Sequence, residues 1–329
     1  MENVTLKRIA EVLGLSISTV SRALKNHPDI SASTKKRVNE LAAFLDYEPN
    51  INAINLRAKK NRVFGLIVPT VSGFFFHSVI SAIEEECRKN NYALMILQSG
   101  NELELENNNL KICRQNRISG LFACLSTETT SMDNFDKFKE ADIPLIFFDR
   151  VPEGKEYNKI CIADEQAAQL AAQLLLKKNK KKILALFGNK ILSITRRREM
   201  AFHKIIAAQK ASISHTEFCN NTMEAKEMAY QYFTKDQRPD AVFCMSDEIL
   251  SGVIKCLHEL KIDIPAETTV ITLSDGFLPK LFTPEITYIE TSGYKLGKLA
   301  FERMMNCMDG KVDPVELFIN TPLVNGGSL

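Results

Sequence analysis

Short polar and basic side chains are concentrated between Ser16 and Lys25, at a spacing that suits contact with nucleic acid. If this segment is helical, Ser18, Thr19 and Arg22 lie on its outward face. Hydroxyl and guanidinium groups on such a face can reach base edges in the major groove of DNA. Arg22 is the candidate for a bidentate contact with guanine.

Further hydroxyl and amide side chains around this segment could bind backbone phosphates, which position a protein on DNA without reading its sequence. These phosphate-contact candidates are Thr5, Ser16, Ser21, Asn26, Ser31 and Thr34. Ile17 completes the predicted set of DNA-contacting residues in this part of the chain. The alternative is a small helical domain whose polar face is merely solvated.

A second group of candidates follows short apolar runs farther along the chain. Ligands of open α/β sheets bind beyond the carboxyl ends of strands, where polar side chains converge. The candidates are Phe75, Phe76, Asp149, Asp247 and Asp275. Two alternatives stay open: Asp247 and Asp275 could cap the helices that follow them, and the phenylalanines could be core residues.

Sequence motifs typical of enzymes are missing. The chain has no G-x-S-x-G, no phosphate-binding loop, no H-E-x-x-H and no G-x-G-x-x-G after a predicted strand. Its eight cysteines form no C-x-x-C pair, and its five histidines fall at unrelated spacings. We therefore expect a non-enzyme without metal or cofactor, with reduced cysteines in a reducing cytoplasm.

Three short helices are predicted for residues 1–47. Thr5, Ser16 and Ser31 each precede a run of apolar residues with helical spacing, which is typical of N-caps. Residues 48–62 could add one to two helical turns that are too short to be stable alone.

From Val63 onward, apolar runs of strand length alternate with amphipathic helical stretches. This alternation predicts parallel sheets that are covered by helices on both faces. The fold class expected for the whole chain is a small all-α helix-turn-helix head followed by an α/β core of two doubly wound parallel-sheet lobes. We expect lobe 1 at about 63–162 and 292–320, and lobe 2 at about 163–291 and 321–329.

Charge is unevenly distributed along the chain. The net charge is only +2, but residues 1–62 carry eleven Lys and Arg against six Asp and Glu. A basic head on a mildly acidic core suggests that the head binds a polyanion. The N-terminus lacks an apolar export signal, and no uninterrupted apolar run is long enough to span a membrane, so we expect neither export nor membrane insertion.

The segments VTLKRIAEVLGLSISTVSRALKN, DIS and DYEPNINAINL resemble the lac repressor family of bacterial regulators. The likeness is dense in residues 4–58 and extends over essentially the whole chain. It implies a core of the type I periplasmic-binding-protein kind and a hinge helix in residues 48–62. In that hinge, Leu56 is implied to wedge into the minor groove, with Asn50 and Ala53 beside it; ordinary packing of Leu56 is the alternative.

The resemblance also adds Arg198, in TRRREMAF, to the predicted effector site. Together with Asp275 and Phe75 it suits a sugar, which requires a guanidinium, a carboxylate and an aromatic face. Purine-responsive members of the family carry a ligand-binding arginine six residues before this position, where this chain has Leu192. We therefore expect a sugar or a sugar derivative rather than a purine.

The function implied is that of a homodimeric repressor of carbohydrate-metabolism genes. It would bind a pseudo-palindromic double-stranded operator and release it when the effector binds between the lobes. The alternatives are a corepressor-dependent or activating regulator of the same build, and a solute-binding protein or small-molecule enzyme on the same core. The helix-turn-helix and the absence of an export signal count against the solute-binding protein and the small-molecule enzyme.

Overall fold

The computed structural model describes residues 5–47, 61–208, 213–310 and 312–329. The chain divides into two compact units, Met1–Asn61 and Arg62–Leu329. We call the first unit the head and the second the core.

The head consists of three helices around one small apolar cluster. The helices are α1 (Leu6–Leu13), α2 (Ile17–Leu24) and α3 (Ala32–Phe44). Fully or nearly fully buried side chains of all three helices form the cluster: Ile9, Ala10, Val20, Ala23, Val38 and Ala42. Gly14 ends α1 at φ +63°, a left-handed conformation in which a side chain would be strained.

The core contains two six-stranded sheets. The strands of the first sheet are β1 (Val63–Val68), β2 (Ala93–Gln98), β3 (Gly120–Ala123), β4 (Leu145–Phe148), β5 (Asn158–Ile162) and β11 (Glu316–Ile319). Their order is β11-β5-β4-β3-β1-β2, and every neighbouring pair is parallel. We call this sheet and its helices lobe 1.

The second sheet forms lobe 2. Its strands are β6 (Lys182–Phe187), β7 (Ile213–Phe218), β8 (Ala241–Cys244), β9 (Thr269–Ser274), β10 (Thr287–Glu290) and β12 (Leu323–Val324). They lie in the order β12-β10-β9-β8-β6-β7, and only the two-residue β12 runs antiparallel to its neighbour. The fold class expected from the sequence, parallel sheets covered by helices, is confirmed apart from this short antiparallel strand.

The core helices follow the strands in alternation. They are α4 (Phe74–Lys89), α5 (Leu103–Gln115), α6 (Asp133–Glu140), α7 (Asp164–Lys177), α8 (Ser193–Ala207), α9 (Thr222–Phe233), α10 (Asp247–Glu259) and α11 (Gly293–Asp309), with a 3-10 helix at Leu278–Leu281. The chain passes between the lobes after β5, after β10 and between β11 and β12. Three strands therefore lead into the junction of the lobes, which is where a ligand can influence both.

Several elements were not predicted from the sequence. The strand β7 lies at a sheet edge, and its sequence ISHTEF lacks the continuous apolar pattern of a buried strand. The helix α6 has only Phe135 and Phe138 buried among eight mostly charged residues. The short strands β11 and β12 also lie at sheet edges. Elements that bury little apolar surface leave a weak periodic signal in the sequence.

Candidate functional site

The outward face of α2 presents the side chains that the sequence predicts for base contacts. Ser18 and Arg22 are exposed, and Thr19 is half-buried. Ile17, at the start of the helix, leaves 44% of its surface exposed. The opposite face of α2 buries Val20 and Ala23 in the head cluster, so this helix is fixed by one side and free on the other.

Three of the predicted phosphate contacts cap the helices of the head. The side-chain oxygens of Thr5, Ser16 and Ser31 accept hydrogen bonds from backbone N–H groups one turn into α1, α2 and α3, at 3.3, 3.1 and 3.2 Å. All three residues are exposed. Each cap satisfies one backbone N–H group of its helix. The other free N–H groups and the helix dipole favour anions, so these exposed N-termini are suited to phosphate.

The remaining predicted contacts of the head are accessible too. Asn26 is exposed and has a positive φ of 56°, directly after the end of α2. Ser21 and Thr34 are half-buried. The predicted hinge residues Asn50, Ala53 and Leu56 lie outside the described residues.

In the core, a cleft of about 550 Å³ lies between the lobes at the carboxyl ends of the strands. All six residues predicted to bind an effector line it: Phe75, Phe76, Asp149, Arg198, Asp247 and Asp275. The chain thus brings together side chains that are up to 200 residues apart, because parallel strands end at a common edge. The cleft volume suits a small molecule.

Arg198 enters the cleft from α8 and is held by a buried ion pair. Its Nε and Nη2 lie 2.8 and 2.6 Å from Oδ1 of Asp164, the first residue of α7. Its Nη1 donates to the backbone carbonyl of Met245 at 3.3 Å. Both charged side chains are less than a tenth exposed. Asp164 therefore orients the guanidinium, whose remaining N–H groups are available to a ligand.

Asp247 and Asp275 are connected to each other in lobe 2. Asp247, the first residue of α10, accepts hydrogen bonds from the Ser274 hydroxyl at 2.5 Å and from the Asp275 backbone N–H at 3.3 Å. Burial raises the pKa of Asp247 to about 6. The helix α10 is capped by Ser246 instead, so Asp247 is not the N-cap.

The carboxylate of Asp275 reaches across to lobe 1. It accepts hydrogen bonds from the Ser78 hydroxyl in α4 and, at 2.5 Å, from the backbone N–H of Gly293 at the start of α11. Burial raises its pKa, and these hydrogen bonds partly oppose that rise. Asp275 therefore binds the first residue of a helix of the other lobe, whose N-cap is Ser292, and links the two lobes beside the cleft. We call the Ser78–Asp275–Gly293 contact the lobe link.

Asp149 ends β4 and is buried in the wall of the cleft with few partners. Its side chain is paired with the Cys124 thiol alone, at 3.8 Å, within the described part of the chain. Burial raises the pKa of Asp149, although the neighbouring positive charge of Arg150 opposes the rise. Arg150 also lines the cleft and donates from Nη1 to Asn101 at 2.5 Å, while its buried Nε has no acceptor among the described residues.

The aromatic candidates divide between cleft and core. Phe75 and Phe76 are half-buried, stack edge to face at 5.5 Å, and contact both the cleft and the lobe 1 core. Phe74 packs against the lobe 2 core and lies 6.2 Å from the ring of Phe277. Both interpretations made from the sequence, core residue and cleft wall, therefore apply to Phe75 and Phe76.

Sequence reasoning missed further polar residues of the cleft. They are Thr70, Ser72, Asn101, Thr127, Arg150, Asn189, Asn220, Asn221, Ser246, Glu248, Ser274 and Thr291. Nearly all of them follow the carboxyl end of a strand, from Thr70 after β1 to Ser246 after β8. Applied to every predicted strand, the rule that selected Asp149 and Asp275 would have found most of them, but not Asn220 and Asn221, which follow the unpredicted strand β7.

The cysteines are free thiols, and all of them except the half-buried Cys307 are buried. Across the residues that the structure describes, no cluster of His, Cys, Asp and Glu could hold a metal ion. No helix among the same residues has the length and hydropathy needed to cross a bilayer.

Two family models match the chain. Residues 5–50 match the model of bacterial regulatory proteins of the lacI family, and residues 61–324 match that of periplasmic binding proteins and the sugar binding domain of the LacI family. The chain belongs to the lacI family. Together the two matches cover the head and the core, so this LacI-family protein is a DNA-binding transcription regulator with a small-molecule effector, and it is not an enzyme.

Relatives and solved structures agree with this membership. The transcriptional repressor PurR of Vibrio atlanticus is 27% identical over 93% of this chain and 92% of its own, and PurR of Vibrio cholerae is 26% identical over 95% and 94%. The lac repressor dimer bound to operator and the anti-inducer ONPF has a TM-score of 0.87 at 20% identity, covering 99% of both chains. The CelR–cellobiose complex has a TM-score of 0.71 at 16% identity, also over 99% of both.

Proposed function

We propose that this LacI-family protein is a homodimeric repressor of carbohydrate-metabolism genes that binds a pseudo-palindromic operator and releases it when a sugar or sugar derivative enters the cleft. The observation that carries the proposal is the cleft between the lobes, where a guanidinium, carboxylates and aromatic rings meet in a chain that also has a helix-turn-helix. In this proposal, the residues predicted from the sequence make the contacts with DNA and with the effector.

DNA contact is assigned to the exposed face of α2. Arg22 makes a bidentate contact with guanine, Ser18 and Thr19 approach neighbouring base edges, and Ile17 offers an apolar contact to a thymine methyl group. Thr5, Ser16, Ser21, Asn26, Ser31 and Thr34 bind phosphates and set the orientation of the helix. Asn50, Ala53 and Leu56 are proposed for the minor groove on the family resemblance alone.

The effector is assigned to the cleft. Arg198 and Asp149 supply a donor and an acceptor for hydroxyl groups, while Phe75 and Phe76 supply an apolar wall. The matched family model describes a sugar binding domain, which supports this class of ligand. Leu192 also lines the cleft, and an aliphatic side chain there offers a purine no charged partner.

The switch is assigned to the junction of the lobes. An effector can change the lobe arrangement only if it binds one arrangement more tightly than another. Asp247 lines the cleft and holds the backbone of Asp275, whose carboxylate forms the lobe link. A ligand that contacts Asp247 thus acts on the residue that connects the lobes. A corepressor would act through the same residues, but it would bind more tightly to the lobe arrangement that binds DNA.

Exposed apolar side chains support the homodimer. Phe277 directly precedes the 3-10 helix and is 60% exposed, and Leu281 at the end of that helix is 61% exposed. Ile96 on the edge strand β2 is 39% exposed. Large exposed apolar side chains and an unpaired strand edge are typical of protein interfaces. Sedimentation velocity of a Leu281→Asp variant tests this assignment, and an unchanged dimer mass would contradict it.

The test of the proposed function is fluorescence anisotropy with a pool of pseudo-palindromic duplexes, over several salt concentrations and with added sugars. We expect tight binding to a subset, a steep salt dependence, and release by one sugar. Arg22→Ala should weaken binding to the selected duplex by about 1–3 kcal/mol and relax its sequence preference. Lys36→Ala, on the exposed face of α3, is the control for lost charge. Equal affinity of the Arg22→Ala variant for the selected duplex would refute the base contact.

A further inference from the structure

The charges that line the cleft are unbalanced. Four carboxylates line it, from Asp149, Asp247, Glu248 and Asp275, against two guanidinium groups. The described lining residues include no lysine and no histidine. One of the two guanidiniums, that of Arg198, is already neutralised by Asp164 from behind the cleft wall. A negatively charged ligand would therefore be repelled, and a positively charged one attracted.

Two of the four carboxylates are satisfied within the protein. Asp247 accepts from Ser274 and from the backbone of Asp275, and Asp275 accepts from Ser78 and Gly293. These hydrogen bonds use the carboxylate oxygens to hold the protein together. They leave Asp149 and Glu248 as the acidic groups with capacity for a ligand.

Asp149 is the buried member of this pair. Its residue surface is only 7% exposed, yet within the described residues its sole hydrogen-bond donor is a thiol at 3.8 Å. Burying a carboxylate without strong donors is costly, and buried polar groups in proteins are almost always paired. Arg150 and Arg198 place positive charge near Asp149, but their hydrogen bonds go to Asn101, Asp164 and Met245, so a ligand in the cleft can supply the donor that Asp149 lacks.

Glu248 is the member on the other lobe. It lies in the first turn of α10 in lobe 2, half-buried, and no hydrogen bond or ion pair to its carboxylate is present among the described residues. Its Oε1 would lie 3.2 Å from a Cβ atom placed on Gly73, in lobe 1. Glu248 thus extends from lobe 2 to the rim of lobe 1, while Asp149 belongs to lobe 1.

We propose that the effector carries a positively charged amine on a polyhydroxylated frame, as in an amino sugar, and that Asp149 and Glu248 bind the amine. The inference rests on the proposed function of the cleft as the effector site. An ammonium group supplies three hydrogen-bond donors and no acceptor, which is what two unpaired carboxylates require. Since the two carboxylates come from different lobes, a ligand that binds both of them contacts both lobes.

The test uses matched probes on the full-length protein: glucosamine, galactosamine and mannosamine, the corresponding neutral hexoses, their N-acetyl derivatives and their 6-phosphates. Thermal shift ranks them, and calorimetry gives Kd for the best amine and its neutral counterpart. We expect one amine to bind about tenfold or more tightly than its neutral and N-acetyl counterparts, and the phosphates not to bind.

Variants separate charge recognition from general damage to the cleft. Glu248→Gln should weaken binding of the amine about tenfold or more and leave the Kd of the neutral hexose within about twofold. Glu227→Gln, exposed on α9 and outside the cleft, is the control for one lost charge. Asp149→Asn should weaken binding of the amine by a larger factor than binding of the neutral hexose, because an amide oxygen still accepts hydrogen bonds from hydroxyl groups.

The outcomes are distinguishable. If a neutral or phosphorylated sugar binds at least as tightly as every amine, or if Glu248→Gln weakens amine and hexose equally, the inference about the amine is overturned and the sugar cleft stands. If no probe of any class binds or releases operator DNA, the sugar assignment itself is overturned together with the amine.

Discussion

The buried ion pair between Asp164 and Arg198 gives the sharpest test of how the cleft is built. Replacing Asp164 by Asn removes the negative charge that lies 2.6 Å from the guanidinium and keeps the shape of the side chain. Arg198 would then remain buried as a cation whose nearest acceptors are neutral, the Asn side-chain oxygen and the Met245 carbonyl at 3.3 Å. An uncompensated buried charge is among the most destabilising changes that a single substitution makes.

The magnitude follows from the burial of both partners. Their side chains are 8% and 5% exposed, so Asp164→Asn should lower the free energy of unfolding by about 3–5 kcal/mol. The matched control is the ion pair between Lys226 and Glu259, at 2.7 Å but with 22% and 45% exposure. Because water screens the control pair, Glu259→Gln should cost about 1 kcal/mol or less.

Urea unfolding of the full-length protein is the assay. Far-UV circular dichroism reports on secondary structure, and tyrosine fluorescence is usable as a second probe because the chain has seven Tyr and no Trp. The double variant Asp164→Leu, Arg198→Met removes both charges and should lose less stability than the sum of the two single losses. The reasoning is refuted if Asp164→Asn costs no more than Glu259→Gln, or if the single losses simply add.

Three further predictions concern the lobe link, pH and the thiols. Ser78→Ala removes one hydrogen-bond donor to the Asp275 carboxylate and should lower the free energy of unfolding by about 1.5–3 kcal/mol. Urea unfolding measures this loss, with the exposed Ser72→Ala as the control. Equal losses for the two variants would contradict the lobe link. The pKa of Asp247 is raised to about 6, so the folded state holds a proton that the unfolded state has lost above about pH 4. The stabilisation that comes from this bound proton is thus complete below about pH 4 and declines as the pH rises to about 6. Asp247→Asn should therefore flatten the pH profile of the unfolding midpoint between about pH 4 and 6. Parallel profiles of the variant and the unmodified protein would contradict this. Burial raises the pKa values of the thiols, that of Cys256 to about 11, and Cys307 is the one described cysteine that is only half-buried. Alkylation of the native protein should therefore label Cys307 first. Mass spectrometry measures the order of labelling, and another cysteine labelled first would contradict this prediction.

Much of the fold could be read from the sequence because the strong periodic signals belong to the deeply buried elements. The runs at 63–68 and 182–188 were predicted as strands from continuous apolar residues, and both form interior strands of their sheets. The N-caps Thr5, Ser16 and Ser31 were also predicted, because capping depends on residues only three positions apart. Edge elements such as β7 were missed, since a strand exposed on one side carries a mixed pattern.

The sequence by itself indicated part of the cleft lining, since the carboxyl end of a parallel strand is a local feature: Asp149, Asp247 and Asp275 follow predicted strands and line the cleft, whereas Arg198 was added by the family resemblance. It could not determine what their side chains do. Only the tertiary structure decided that Asp275 is hydrogen-bonded to the other lobe, that Arg198 is paired with Asp164, and that Glu248 has no partner for its carboxylate among the described residues. Those differences depend on contacts between residues 18 to 197 positions apart, which no local pattern encodes.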